Sequence, residues 1–126
     1  MSDDGTLPED SLLAGWGPNF LGCGERSGRP LDTQTTMRAA IEKAGFRDVY
    51  EKLYKCPIGA WPKDPQLKDA GAINMEHWSS GLEGWAMWLL TKHGAPTPWS
   101  PDEVRVYVAK VREELRSPKL HIYHYT

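Results

Sequence analysis

The side chains best suited to moving a proton near neutral pH are four histidines, His77, His93, His121 and His124. An unperturbed imidazole changes charge at about pH 6.5. His77 stands between Glu76 and Trp78, in a tryptophan-rich stretch with helical spacing. That placement makes it the candidate general base; the competing reading is a histidine at the surface or in packing. His121 and His124 are three apart in a predicted strand, so they face opposite ways and share no site. Neither His-x3-His nor His-Glu-x2-His occurs, and Cys23 and Cys56 form no Cys-x-x-Cys pair. On those spacings no metal centre is expected. The cysteines read as reduced thiols of an intracellular protein.

Six tryptophans is a high number for 126 residues. Trp16, Phe20, Trp61, Trp85 and Trp88, with Trp78, are the candidate lining of a cavity for a small hydrophobic molecule. The plainer alternative is a core stripe, because aromatics at helical spacing usually pack inward. Glu83, among apolar neighbours, reads as exposed or ion-paired before it reads as a base. Lys63, Asp64 and Lys68 read as turn and cap residues. Lys110, Arg112, Glu113, Glu114 and Arg116 read as a solvated helix face.

Those side chains need elements to hold them. Thr6-Leu-Pro-Glu9 is a capping-box pattern, predicted to open a helix carrying Leu12, Leu13, Trp16 and Phe20. Gly15, Gly17 and Pro18 predict a kink or break near Gly17. Asp32 or Thr33 is the expected cap of a second helix. Its residues Met37, Ala40, Ile41 and Ala44 form one apolar face, and Gly45 ends it. A strand is expected over 46–55, with Val49 and Leu53 on one face and Tyr50 and Tyr54 on the other. A strand apolar on both faces belongs inside a covered sheet. Asp64-Pro65 is a cap followed by a first-turn proline. Helical stretches over 65–71 and 74–93 follow, the second with Trp78, Leu82, Trp85 and Leu89 at three- or four-residue spacing. Ser100-Pro-Asp-Glu103 is the strongest local signal, a full capping box. Val104, Val108, Val111 and Leu115 continue it as an apolar stripe, and Ser117-Pro118 stops it. Residues 120–126 read as a second strand. Two strands are marginal alone, so the pair reads as part of a larger sheet.

The net charge of −2 shows no basic block, and a nucleic-acid partner is not expected. There is no apolar run of membrane-spanning length, so no membrane association is expected. The acidic start MSDDGTLPED carries no secretory signal, which points to the cytoplasm, with the nucleus as the alternative.

Several segments carry a resemblance: SDDGTLPEDSLLAGW (2–16), ERSGRPLDT (25–33), AGFRDVYEKLYKCPIGAWPKDPQLKDAG (44–71), GLEGWAMWLLTKHG (81–94), WSPDEVRVYVAKVREEL (99–115) and KLHIYHY (119–125). In that order the chain resembles the C-terminal half of fungal S-adenosylmethionine-dependent methyltransferases. That group is related to trans-aconitate methyltransferases and includes the velvet-complex regulator of secondary metabolism.

The resemblance implies an α/β fold, the C-terminal part of a Rossmann-like class I methyltransferase sheet. It would be mostly helical with two antiparallel strands, 46–55 and 120–126, as one incomplete domain over residues 1–126. S-adenosylmethionine is the implied cofactor, but its strand, glycine turn and acidic residue are not found here. The glycines of LGCGERSG (21–28) follow no predicted strand. The first helix and the helices between the strands would cap the acceptor, and no cofactor-binding or metal residue is assigned. The implied function is a methyltransferase-family protein of fungal secondary metabolism acting on a small hydrophobic acceptor. As a fragment or half of a split enzyme, it would not be active alone. Its expected partner is a second chain supplying the cofactor-binding half, or another copy meeting the edge of the last strand. The alternatives are a non-catalytic scaffold for a methyltransferase or regulator, and a cofactor-free cyclase or isomerase.

Overall fold

The computed structural model describes residues 1–126. Three helices, α1 (Leu12–Arg26), α3 (Pro65–His93) and α4 (Pro101–Leu115), pack on one another. A two-stranded antiparallel sheet, β1 (Lys55–Ile58) with β2 (Ile122–Tyr125), lies against α3. A short helix, α2 (Met37–Lys43), follows a 3₁₀ turn at Thr33–Thr35 and, among the helices and strands, packs on that turn alone. The α/β, mostly helical class expected from the sequence is the class observed.

The core follows from the stripes. Val104, Val108, Val111 and Leu115 on α4 are buried against Leu82, Ala86, Leu89 and Leu90 of α3 and Phe20 and Cys23 of α1. Ile58 and Ile122, which are register partners, close the sheet side of that core. The Ser100 capping box forms in both directions: Glu103 N–H donates to Ser100 Oγ and Ser100 N–H to the Glu103 carboxylate. Those backbone and hydroxyl bonds hold the Glu103 carboxyl below its usual range.

Four expected boundaries move. The first helix starts not at Thr6 but at Leu12. Its cap is Ser11, whose Oγ accepts from Ala14 N–H, and Glu114 of α4 accepts from the Leu12 and Leu13 amides at 3.2 and 2.8 Å. Thr6 instead accepts from His121 N–H. There is no break at Gly17. Gly17, Pro18 and Asn19 face solvent, while Trp16 and Phe20 are anchored on either side of them. The two helices expected at 65–71 and 74–93 are one helix of 29 residues. Asp32 forms no side-chain cap.

The strand expected over 46–55 begins only at Lys55 and runs through Pro57 to Ile58. Tyr54 still exchanges both backbone bonds with Thr126, at 2.9 and 3.0 Å, but nothing pairs upstream of it. Pro57 is tolerated because its ring nitrogen lies on the edge facing away from β2. The second strand likewise shortens from 120–126 to Ile122–Tyr125.

The outer edge of β2, where another copy was an expected partner, is partly occupied by the chain's own N-terminal residues. Met1 exchanges two backbone bonds with Tyr123, each 2.9 Å. Asp3 accepts from the Tyr123 hydroxyl at 2.7 Å and pairs with Lys55, and Asp4 meets the His121 ring at 2.6 Å.

Candidate functional site

A cavity of about 720 Å³ lies where α1, the sheet, α3 and the stretch around α2 converge. Its apolar wall comes from Leu13 and Trp16 of α1, Trp78 of α3, and Ile58, Ile122 and Tyr125 of the sheet. Met37 and Leu53 line it from the side of α2 and the following loop, and its polar groups are Gln34, Glu51, Lys52 and His124. A wall dominated by apolar and aromatic groups, with a few polar ones, suits a small organic molecule.

Each wall residue is held by local structure. Trp16 stacks on Tyr107 of α4, with centroids 5.8 Å apart and planes 11° from parallel, and touches Phe20 at 4.4 Å. Burial raises the Tyr107 hydroxyl above its ordinary pKa, and the Asn19 amide bonded to it at 3.2 Å opposes that. Trp78 lies obliquely against the His124 ring, with centroids 5.9 Å apart.

Asn74 Nδ2 donates to the Pro57 carbonyl at 2.7 Å and lies 3.2 Å from His124 Nε2. An amide nitrogen only donates, so Nε2 accepts and the ring proton sits on Nδ1, which is 3.1 Å from the Tyr125 carbonyl. Both ring nitrogens are engaged, and His124 is a positioned polar wall rather than a free base.

The sequence candidates divide. Trp16 lines the cavity, and Phe20 is buried directly behind it. Trp61 lies outside the lining: its Nε1–H donates to the Ile122 carbonyl at 3.0 Å and its ring stacks on His121. Trp85 and Trp88 are 64% and 57% exposed on the outer face of α3. The buried stripe there is Leu82, Ala86, Leu89 and Leu90, so the expected packing of Trp85 in line with Leu82 and Leu89 does not occur. His77 is exposed and also lies away from the cavity.

Sequence reasoning missed Met37 and Leu53 as wall residues. Met37 reads from sequence as part of a helix's apolar face, and Leu53 as part of a strand that does not form there. It also missed Asn74, which reads as an ordinary helical residue until β1 and β2 are seen to flank it.

The strand-to-helix turn from Ile58 to Pro65 does not fit a cofactor cradle. The Asp64 carboxylate already accepts from Leu67 N–H at 2.9 Å, and Pro65 offers no amide. No three His, Cys, Asp or Glu side chains gather as metal ligands, and no helix is long and apolar enough to cross a membrane.

No protein-family model and no solved structure matches the chain. Curated fungal proteins do. The methyltransferase pytC of Aspergillus terreus is 36% identical over 120 residues, which are 95% of this chain and 36% of that protein. The secondary metabolism regulator LAE1 of Cochliobolus heterostrophus is 34% identical over 96% of this chain and 39% of its own length. The probable methyltransferase tdiE of Emericella nidulans is 30% identical over 97% of this chain and 38% of its own length. The chain thus spans a little over a third of the length of these relatives. Along nearly all of its own residues it is similar to about a third of these fungal proteins, two of which are methyltransferases by name.

Proposed function

We propose that this chain is the acceptor-binding side of an S-adenosylmethionine-dependent methyltransferase, with the methyl donor held by a part of the protein outside these residues. The observation that carries the reading is the cavity between Trp16 and Trp78, in a chain whose relatives are methyltransferases. Its apolar walls suit a small, flat acceptor. His124, held by Asn74 and with both ring nitrogens engaged, gives the cavity an ordered ring wall. The chain's contribution to catalysis is positioning and exclusion of water, the effects that dominate when two reactants are held in line. S-adenosylmethionine, when bound, supplies the methyl group.

The test is binding of a flat apolar alcohol, naphthol, followed by the tryptophan indole N–H signals in nuclear magnetic resonance. The expected result is saturable shifts at Trp16 and Trp78, with Trp85 and Trp88 unmoved. Shifts confined to Trp85 and Trp88, or none, would remove the cavity as the acceptor site.

A further inference from the structure

One imidazole outside the cavity is held in the arrangement of a proton acceptor. The segment from Ser2 to Thr6 turns beside the start of β2, and Asp4 uses both of its carboxylate oxygens there. Its Oδ1 accepts from the Ser2 hydroxyl at 2.9 Å and from the Thr6 amide at 3.1 Å. Its Oδ2 stands 2.6 Å from His121 Nδ1. His121, then Thr6 and Ser2, hold the Asp4 carboxyl well below its ordinary range, so it is a carboxylate that only accepts. The ring proton therefore sits on Nδ1, and the Nε2 lone pair makes no hydrogen bond within the protein.

Further contacts hold the ring in that pose. The His121 amide donates to Thr6 Oγ1 at 2.9 Å. Trp61 stacks on the imidazole, with centroids 5.2 Å apart and planes 27° from parallel, and is itself pinned by its Nε1–H on the Ile122 carbonyl at 3.0 Å. Asp3 does not compete for the ring, because Lys55 and the Tyr123 hydroxyl occupy it. The His121 side chain is still 42% exposed, which leaves it accessible to a ligand. An imidazole with a carboxylate behind it and an open nitrogen in front is the pair of base and orienting group used in acid–base catalysis. His124 is the contrast, with both ring nitrogens taken.

We propose that His121, oriented by Asp4 and backed by Trp61, is a proton-accepting site for a planar acidic hydroxyl compound, a phenol or an enol. The O–H bond of the ligand breaks, its electron pair stays on oxygen, and the proton forms an N–H bond at His121 Nε2. The imidazolium so formed lies between the ligand oxyanion and the Asp4 carboxylate, which compensates its charge. His121 is the catalytic residue, and Asp4 is a positioning residue acting through it. Trp61 supplies a flat wall for the ligand ring. Methyl transfer to oxygen releases such a proton, and Ile122, whose carbonyl holds Trp61, also lines the cavity. The site stands on its own geometry and does not rest on the acceptor reading above.

The experiment titrates p-nitrophenol, whose ionised form is coloured, into the chain near neutral pH. It follows the colour, and by nuclear magnetic resonance the Trp61 indole N–H and the His121 ring nitrogens. The expected result is a saturable rise in the ionised fraction, with the Trp61 signal moving and Nε2 gaining a proton. His121→Phe should weaken binding of the phenolate by about tenfold or more, as loss of a charge-assisted hydrogen bond requires. His121→Gln, which keeps a polar side chain beside Asp4, should do the same and guards against a loss caused by unfolding. Asp4→Asn should weaken phenolate binding yet leave binding of p-nitroanisole, which has no proton to give, unchanged. A merely structural Asp4 would lower both equally. His77→Phe, at an exposed histidine elsewhere, should change nothing. No colour change, a colour change that survives both His121 variants, equal loss of the two ligands in Asp4→Asn, or shifts confined to Trp16 and Trp78 would overturn the proposal.

Discussion

Gly71 and Gly59 show how one atom fixes the distance between helix and sheet. Gly59, at φ 102°, turns the chain out of β1, and its amide donates to the Gly71 carbonyl at 2.9 Å. A Cβ on Gly71 would stand 2.2 Å from the Gly59 carbonyl oxygen, a backbone atom with no freedom to move aside. Gly71→Ala should therefore destabilise the protein by roughly 1–3 kcal/mol, the range of overpacking changes. A urea melt reads it; an unchanged midpoint would mean that the turn is not held against α3. Gly71 was not legible in the sequence, because it reads as a weak point between two helices and its reason lies in a residue twelve positions away. Trp85 was misread for a related cause: periodicity tells which residues share a face, but not how wide the buried part of that face is.

At the scale of elements, α4 was legible nearly residue by residue, because its cap and its stripe are local. The strands were not. Their class followed from residue type, but their limits depend on the partner, and Tyr54 is the last residue with one. The N-terminal segment on β2 was also hidden, since nothing local links Asp3 and Asp4 to residues more than a hundred positions on. Lys55, and then the Tyr123 hydroxyl, hold the Asp3 carboxyl below its ordinary range, and His121, Thr6 and Ser2 do the same for Asp4. The Tyr123 hydroxyl, donating to Asp3, is pushed up to about 12. A depressed carboxyl contributes stability above its unfolded value, about 3.9 for Asp, and loses it as pH falls below that. The raised tyrosine works in the opposite sense: its contribution is complete below about pH 10 and fades as pH rises toward 12. Asp4→Asn should flatten the acid side of the stability curve between about pH 2 and 4 and leave the alkaline side in place. Identical acid limbs for variant and wild type would show that this contact is not formed in solution.

On the scale of the whole molecule, the ordered segments carried the resemblance to fungal methyltransferases, and the α/β, mostly helical class came with that resemblance. The cavity was only half legible. Trp16 could be singled out by type, but Met37, Leu53 and His124 come together only once the sheet and α2 are in place. In the proposed function these residues hold the acceptor in a methyl-transfer reaction. The most direct measurement is transfer of labelled methyl from S-adenosylmethionine by a chimera in which this chain replaces its matching third of the Aspergillus terreus methyltransferase pytC. The account predicts measurable transfer to that enzyme's own acceptor, and an acceptor KM raised roughly tenfold by Trp16→Ala or Trp78→Ala, about 1.4 kcal/mol of lost binding. Trp85→Ala should leave KM unchanged. A cooperatively folded chimera without transfer, or one whose KM responds to Trp85→Ala and not to Trp16→Ala or Trp78→Ala, would contradict it.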